Sequence, residues 1–196
     1  LFVGLHAQKN KNKDNKIPSF GDISKSELEI KDCEFDKNAD ALVLFEDGEL
    51  TYLEGTGLVL EKHVRIKILK KDGLEQADIH LPYYSYDHDA SIKDISAQTY
   101  NLDPAGTIIT SKIDKKNIFD KKINKRQSEK IFTFPEVRVG SVIEYKYKMT
   151  GAGLIDWYFQ HENPVAISRF AVDFPNDIEA RSTPHCSHPL SHTTES

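Results

Sequence analysis

The densest group of reactive side chains is His185-Cys186-Ser187-His188-Pro189-Leu190-Ser191-His192. Three imidazoles and a thiol in eight residues are the donor types that hold zinc, nickel or copper. The spacing of His185, His188 and His192 would line one face of a helix, but Pro189 opposes a helix running through it. In an extended strand His185 and His188 point to opposite faces. The segment therefore reads as a solvated tail, with a metal-binding or hydrolytic site around His185, Cys186 and His188 as the alternative. A cysteine nucleophile needs a nearby cation or helix N-terminus to form its thiolate. Cys33, in Asp32-Cys33-Glu34, has carboxylates on both sides and reads as a small structural residue. His63 is in phase with Arg65 and Lys67 on the polar side of a strand, and reads as a cross-strand contact. Glu54-Gly55-Thr56-Gly57 lacks the Lys-Ser/Thr of a phosphate loop, and no His-Glu-x-x-His helix occurs. No catalytic residue and no cofactor is expected.

Two aromatic groups offer binding chemistry instead. Pro82-Tyr83-Tyr84-Ser85-Tyr86-Asp87-His88-Asp89 combines three tyrosines with two carboxylates. With Trp157, Tyr83, Tyr84 and Tyr86 could stack on and hydrogen-bond a glycan or a peptide. The alternative is that the tyrosines fold over the end of a core, and that Trp157-Tyr158-Phe159 turns at least one face inward.

The elements that must carry these residues are strands. Val64, Ile66 and Ile68 alternate with Arg65 and Lys67, and Ala77, Ile79 and Leu81 with Asp78 and His80. Ile143, Tyr145, Tyr147 and Met149 alternate with Glu144, Lys146 and Lys148, and Phe170, Val172 and Phe174 with Ala171 and Asp173. Period-two alternation predicts half-buried strands with one wet face. The apolar run Ala41–Phe45 predicts a more central strand. Turn chemistry separates the runs: Asp47-Gly48 is read as joining 41–45 to 49–53, and Lys71-Asp72-Gly73 as closing 58–70. Asp103-Pro104-Ala105-Gly106 joins 95–102 to 107–113, and further strands fit 129–134, 157–160 and 165–174. The expected fold is all-β, an antiparallel sandwich of about ten strands. Ser24 with Glu27 three residues later is a capping box and predicts one short helix near 24–30.

The chain has 196 residues, 38% hydrophobic and 29% charged, with net charge −5. A globular chain of this size buries about 70% of its unfolded surface, enough for a core without metal or disulfide staples. The acidic balance argues against a nucleic-acid partner. No run approaches the roughly 18 apolar residues that span a bilayer, so no membrane span is expected. Acids crowd residues 22–54 and bases residues 112–130; this is either a dipolar docking surface or solvated strand faces. The opening Leu1-Phe2-Val3-Gly4-Leu5-His6-Ala7-Gln8 looks like the trailing end of a signal peptide. Residues 1–21 are then remnant and polar linker, 22–180 the sandwich, and 181–196 a loop or junction. Whether Cys33 and Cys186 pair is left open by their spacing.

Several segments resemble a known bacterial domain of unknown function, found at the start of exported proteins that continue into a transglutaminase-like domain. They are Ala41–Phe45, His63–Leu69, Thr99–Leu102, Phe132-Thr133-Phe134-Pro135, Gly140–Tyr147, and Trp157–Gln160 with Pro164-Val165. The resemblance implies a β-sandwich similar to the non-catalytic N-terminal domain of zinc aminopeptidases. It also implies a periplasmic or otherwise extracytoplasmic location, and a following transglutaminase-like domain as intramolecular partner. That family supplies no catalytic residues to carry over. The expected role is docking or positioning the neighbouring domain or its substrate, with a glycan- or peptide-binding module as the rival.

Overall fold

A computed structural model describes residues 17–86, 90–151 and 156–175. The His185–His192 cluster, the Leu1–Gln8 opening and the Cys186 half of any cysteine pair lie outside them. The elements are α1 (Lys25–Glu29), β1 (Ala41–Leu53), β2 (Gly57–Ile68), β3 (Asp78–Tyr84), β4 (Ser91–Leu102), β5 (Ile108–Lys112), β6 (Phe119–Lys122), β7 (Gln127–Thr133), β8 (Val142–Thr150) and β9 (Ser168–Asp173). Short 3₁₀ turns occupy Asp72–Ala77 and Lys115–Asn117.

Nine strands form two sheets among the described residues, a six-stranded sheet ordered β5-β4-β8-β2-β1-β9 and a three-stranded sheet ordered β3-β7-β6. The predicted alternation supplies their shared core. Ala41, Val43, Val64, Ile66, Ile68, Ile143 and Tyr147 face Ile79, Leu81, Phe132 and Phe134. Phe132 and Phe134 meet Tyr145 edge-on with ring centroids 6.3 and 6.2 Å apart. Edge-to-face packing suits the aromatic quadrupole and stitches the small sheet to the large one. The layering is that of a sandwich, mostly antiparallel.

Four expectations need correction. The sheet is not wholly antiparallel, because β9 pairs in parallel with β1 from Glu46↔Ser168 to Thr51↔Asp173. After β8 the chain passes over β2 and β1 to the far edge, a crossover that only a long connection allows. Residues 157–160 are not a strand; they belong to that connection. The short strand β6 carries no apolar alternation and was not expected. Its register places Asp120 opposite Lys130 and Lys121 opposite Glu129, and both pairs form ion pairs. Opposite charges across an antiparallel pair replace apolar packing there.

Asp47-Gly48, finally, is not a turn. β1 runs continuously through it, with Gly48 opposite Lys62 on one side and Phe170 on the other. Glycine is needed here for space: a Cβ at Gly48 would lie 2.7 Å from Cη2 of Trp157 and 3.0 Å from Cδ2 of Phe170. Trp157 stacks on Phe170 with centroids 4.9 Å apart, and its indole N–H donates to Ser168 Oγ at 3.0 Å. Gly48→Ala should therefore cost about 1–3 kcal/mol by overpacking and, by pushing the indole off the strand towards water, red-shift or broaden the fluorescence of the sole tryptophan. Unchanged urea midpoint and emission would show that the indole is not seated against this strand.

Candidate functional site

The outer face of β2 and β8 was expected to be wet. It is the most highly charged buried region of the described chain. Arg65 and Glu144 sit directly opposite each other in the β2–β8 register and both are fully buried. The residues preceding β1 roof them over. Ser24 caps α1, accepting from the Glu27 amide, while Glu27 Oε2 accepts from the Ser24 amide at 2.8 Å. That capping box fixes Glu27 so that its other oxygen accepts from Arg65 Nη1 at 2.6 Å. Arg65 Nη2 also donates to the Asp22 carbonyl at 2.9 Å. Leu28 packs against Tyr100 and Val142, completing the lid.

Glu144 is the hub. Its Oε1 accepts from His63 Nε2 at 2.8 Å, Arg65 Nη2 at 2.6 Å and Arg65 Nε at 3.2 Å. Its Oε2 accepts from the Gly21 amide at 3.0 Å, from Gln98 Nε2 at 3.4 Å and from the Tyr100 hydroxyl. Burial alone would raise the carboxyl pKa. The hydrogen bonds from His63 and Tyr100, with the charge of Arg65, outweigh it and hold the group at about 2. Tyr100 moves the other way, raised by burial and by the adjacent carboxylate. The cluster holds a base, an acid and two carboxylates, but its donors and acceptors are turned on one another.

A second buried carboxylate lies on the inner face. Glu46 is bridged by Lys62 Nζ at 2.5 Å and His161 Nε2 at 2.6 Å, and Lys62 stands 4.9 Å above the Trp157 ring. With the Val43 amide donating to the Pro164 carbonyl at 2.9 Å, this pair fastens the β8–β9 connection across β1. Asp47 binds Arg169 through both guanidinium arms at 2.5 and 2.8 Å. The acidic stretch is thus spent in good part on internal pairs.

The aromatic candidates are not brought together. Tyr83, half-buried on β3, donates to Asp120 at 2.8 Å. Tyr84 and Tyr86 are 45% and 47% exposed with rings 6.3 Å apart. Trp157, in the β8–β9 connection, packs on the other sheet against β1 and β9. Cys33 is a buried thiol beside Ala39, Leu42 and Leu69, the structural role expected of it. Among the described residues no group of three or more His, Cys, Asp or Glu is arranged to hold a metal, and no helix is long and apolar enough to cross a membrane.

No curated protein matches the chain in sequence. In structure it is similar to a "putative protease" from Parabacteroides distasonis ATCC 8503, with TM-score 0.53 and 12% identity, over 70% of this chain and 29% of that one. It thus spans less than a third of that protein's length, and at this identity the likeness speaks for fold alone. A second match, Legionella pneumophila aminopeptidase A in complex with aspartic acid, has TM-score 0.27 and 13% identity, over 57% of this chain and 11% of that one. Residues 57–196, well over half of the chain, match DUF3857, described as a domain of unknown function with a solved structure. The chain belongs to the DUF3857 family.

Proposed function

We propose that this chain is a non-catalytic, extracytoplasmic β-sandwich module of a transglutaminase-like protein, which docks or positions the neighbouring domain or its substrate. The observation carrying this reading is the occupancy of Glu144. Six donor contacts surround its two oxygens, so neither oxygen has a free position for a substrate proton. A general base must reach the proton it removes, and this one is sealed beneath the N-terminal segment. Its cluster supports a structural role: it locks residues 21–28 to the sheet. The extracytoplasmic placement rests on the family resemblance.

The isolated chain should turn over no peptide, ester or glycoside substrate. Turnover abolished by a single substitution, such as His63→Ala, would overturn the proposal. A second reading, a glycan- or peptide-binding module, draws on the exposure of Tyr84 and Tyr86. Affinity-gel retardation lost in Tyr84→Ala would favour it, since a pure scaffold predicts no retardation.

A further inference from the structure

Lys67 is the one fully buried lysine among the described residues, with 1% of its surface exposed. Its Nζ donates to the Leu28 carbonyl at 2.6 Å and the Gly140 carbonyl at 2.5 Å. Those are neutral acceptors, two for a group with three N–H donors. Among the described residues no carboxylate comes within ion-pair distance of it, in contrast to neighbouring Arg65, which has two. A buried ammonium lacking a counter-charge is costly, and ordinarily such a group is paired or neutralised. Burial lowers its pKa to about 8, so at neutral pH most of the population still carries the charge.

Lys67 also lines a cavity of about 360 Å³. Leu28 and Ile30 from the N-terminal segment, Ile68 and Leu69 from β2 and beyond, Leu102 and Val139 supply apolar walls. Glu29 and Lys31, of opposite charge, stand beside them. The volume lies at the small end of ligand sites, which are typically apolar with a few polar groups that set orientation. Val139 is 53% exposed, so the apolar wall continues to the protein surface.

From the cavity and its uncompensated cation together, we infer a binding site for a small amphiphilic carboxylate, with the anionic head at Lys67 and a short apolar body along Leu28, Ile30, Leu69 and Leu102. The head supplies the missing counter-charge and accepts the remaining N–H, and the tail removes apolar wall from water. This site is separate from the Glu144 cluster, and binding there is independent of whether the module is catalytic.

The test is calorimetric titration of the whole chain with octanoate, octanol and octylamine. Octanoate should bind at least tenfold more tightly than octanol, with octylamine weakest. Lys67→Met keeps the length and apolar stem of the side chain, so it should fold with an unchanged circular dichroism spectrum and lose the preference for octanoate. Leu102→Trp, which fills the cavity from the wall, should abolish binding of all three. Absence of octanoate binding at millimolar concentration, equal affinity for octanoate and octanol, or retention of the preference in Lys67→Met would each overturn the assignment.

Discussion

Replacing Glu144 with glutamine should lower the unfolding free energy by about 3–5 kcal/mol, the range for breaking a buried charge pair from one side. The size follows from geometry. Both Glu144 oxygens face donors only, Arg65 and His63 on one side and Gly21, Gln98 and Tyr100 on the other. Whichever way the glutamine amide turns, its NH₂ meets an N–H or an O–H, and Arg65 keeps only Glu27 as a counter-charge. The same pair sets the acid response. The Glu144 carboxyl is held at about 2, below its ordinary 4.5, so the folded state binds this proton less readily than the unfolded chain. Its stabilisation is present in full above about pH 4.5 and is lost as pH falls towards 2, a span of about 3 kcal/mol. Urea midpoints measured between pH 7 and pH 2.5 should show this fall in the native protein and a flatter profile in Glu144→Gln. A loss under 1 kcal/mol with an unchanged acid profile would mean the carboxylate is not the hub that the distances describe. Amide exchange at Gly21 gives an independent reading, since that N–H loses its acceptor when the glutamine oxygen turns to the Arg65 charge, and should exchange faster.

The second large effect is expected at Phe132. It is 1% exposed, comes from β7 at the centre of the small sheet, and contacts Phe134 and Tyr145 with ring centroids 5.8 and 6.3 Å away. Phe132→Ala removes the ring that joins the two layers and should cost about 3–5 kcal/mol. Among the described residues the small sheet has three strands and β6 is wholly exposed, so it is held to the large sheet mainly by Phe132 with Ile79, Leu81 and Phe134. The loss should fall locally before it falls globally: amides of β3 and β7 should lose exchange protection while those of β1 and β2 keep theirs. Uniform loss across both sheets would show that the layers unfold as one unit.

How much of this was legible in the residues depends on how far the deciding contact lies along the chain. The inward sets of β2, β3 and β8 are written in period-two alternation, because one sheet face meets one core. The capping box at Ser24 and Glu27 is equally local and predicts α1 directly. The outer face of β2 was misread because alternation shows only that Arg65 and Lys67 lie opposite Ile66 and Ile68; it does not show what covers them. The cover comes from Gly21, Asp22 and Glu27, tens of residues away, and β8 supplies the counter-charge 79 positions on. Gly48 misled for the same reason. Asp-Gly is a strong hairpin signal, and only the arrival of Trp157 across the strand turns that glycine into a requirement for space. Strand β6 left no apolar signal because charge pairs hold it. Trp157, Tyr84 and Tyr86 are alike in chemical type, but the topology puts the tyrosines at the end of β3 in the small sheet and seats Trp157 against β1 and β9 of the large one.

The roof formed by Gly21, Asp22 and Glu27 bears on how the domain is delimited. The segment matching the family begins at residue 57, yet Glu27 and the Asp22 carbonyl, which join Glu144 in neutralising and shielding Arg65, lie upstream of it, as does β1, which pairs along the length of β2. Trimming to the matched residues would remove β1 from the large sheet, leave β9 without its partner strand, and leave a guanidinium, a carboxylate and the Tyr100 ring facing water. The folding unit therefore extends upstream at least to Gly21, and sequence similarity alone marks its border too late.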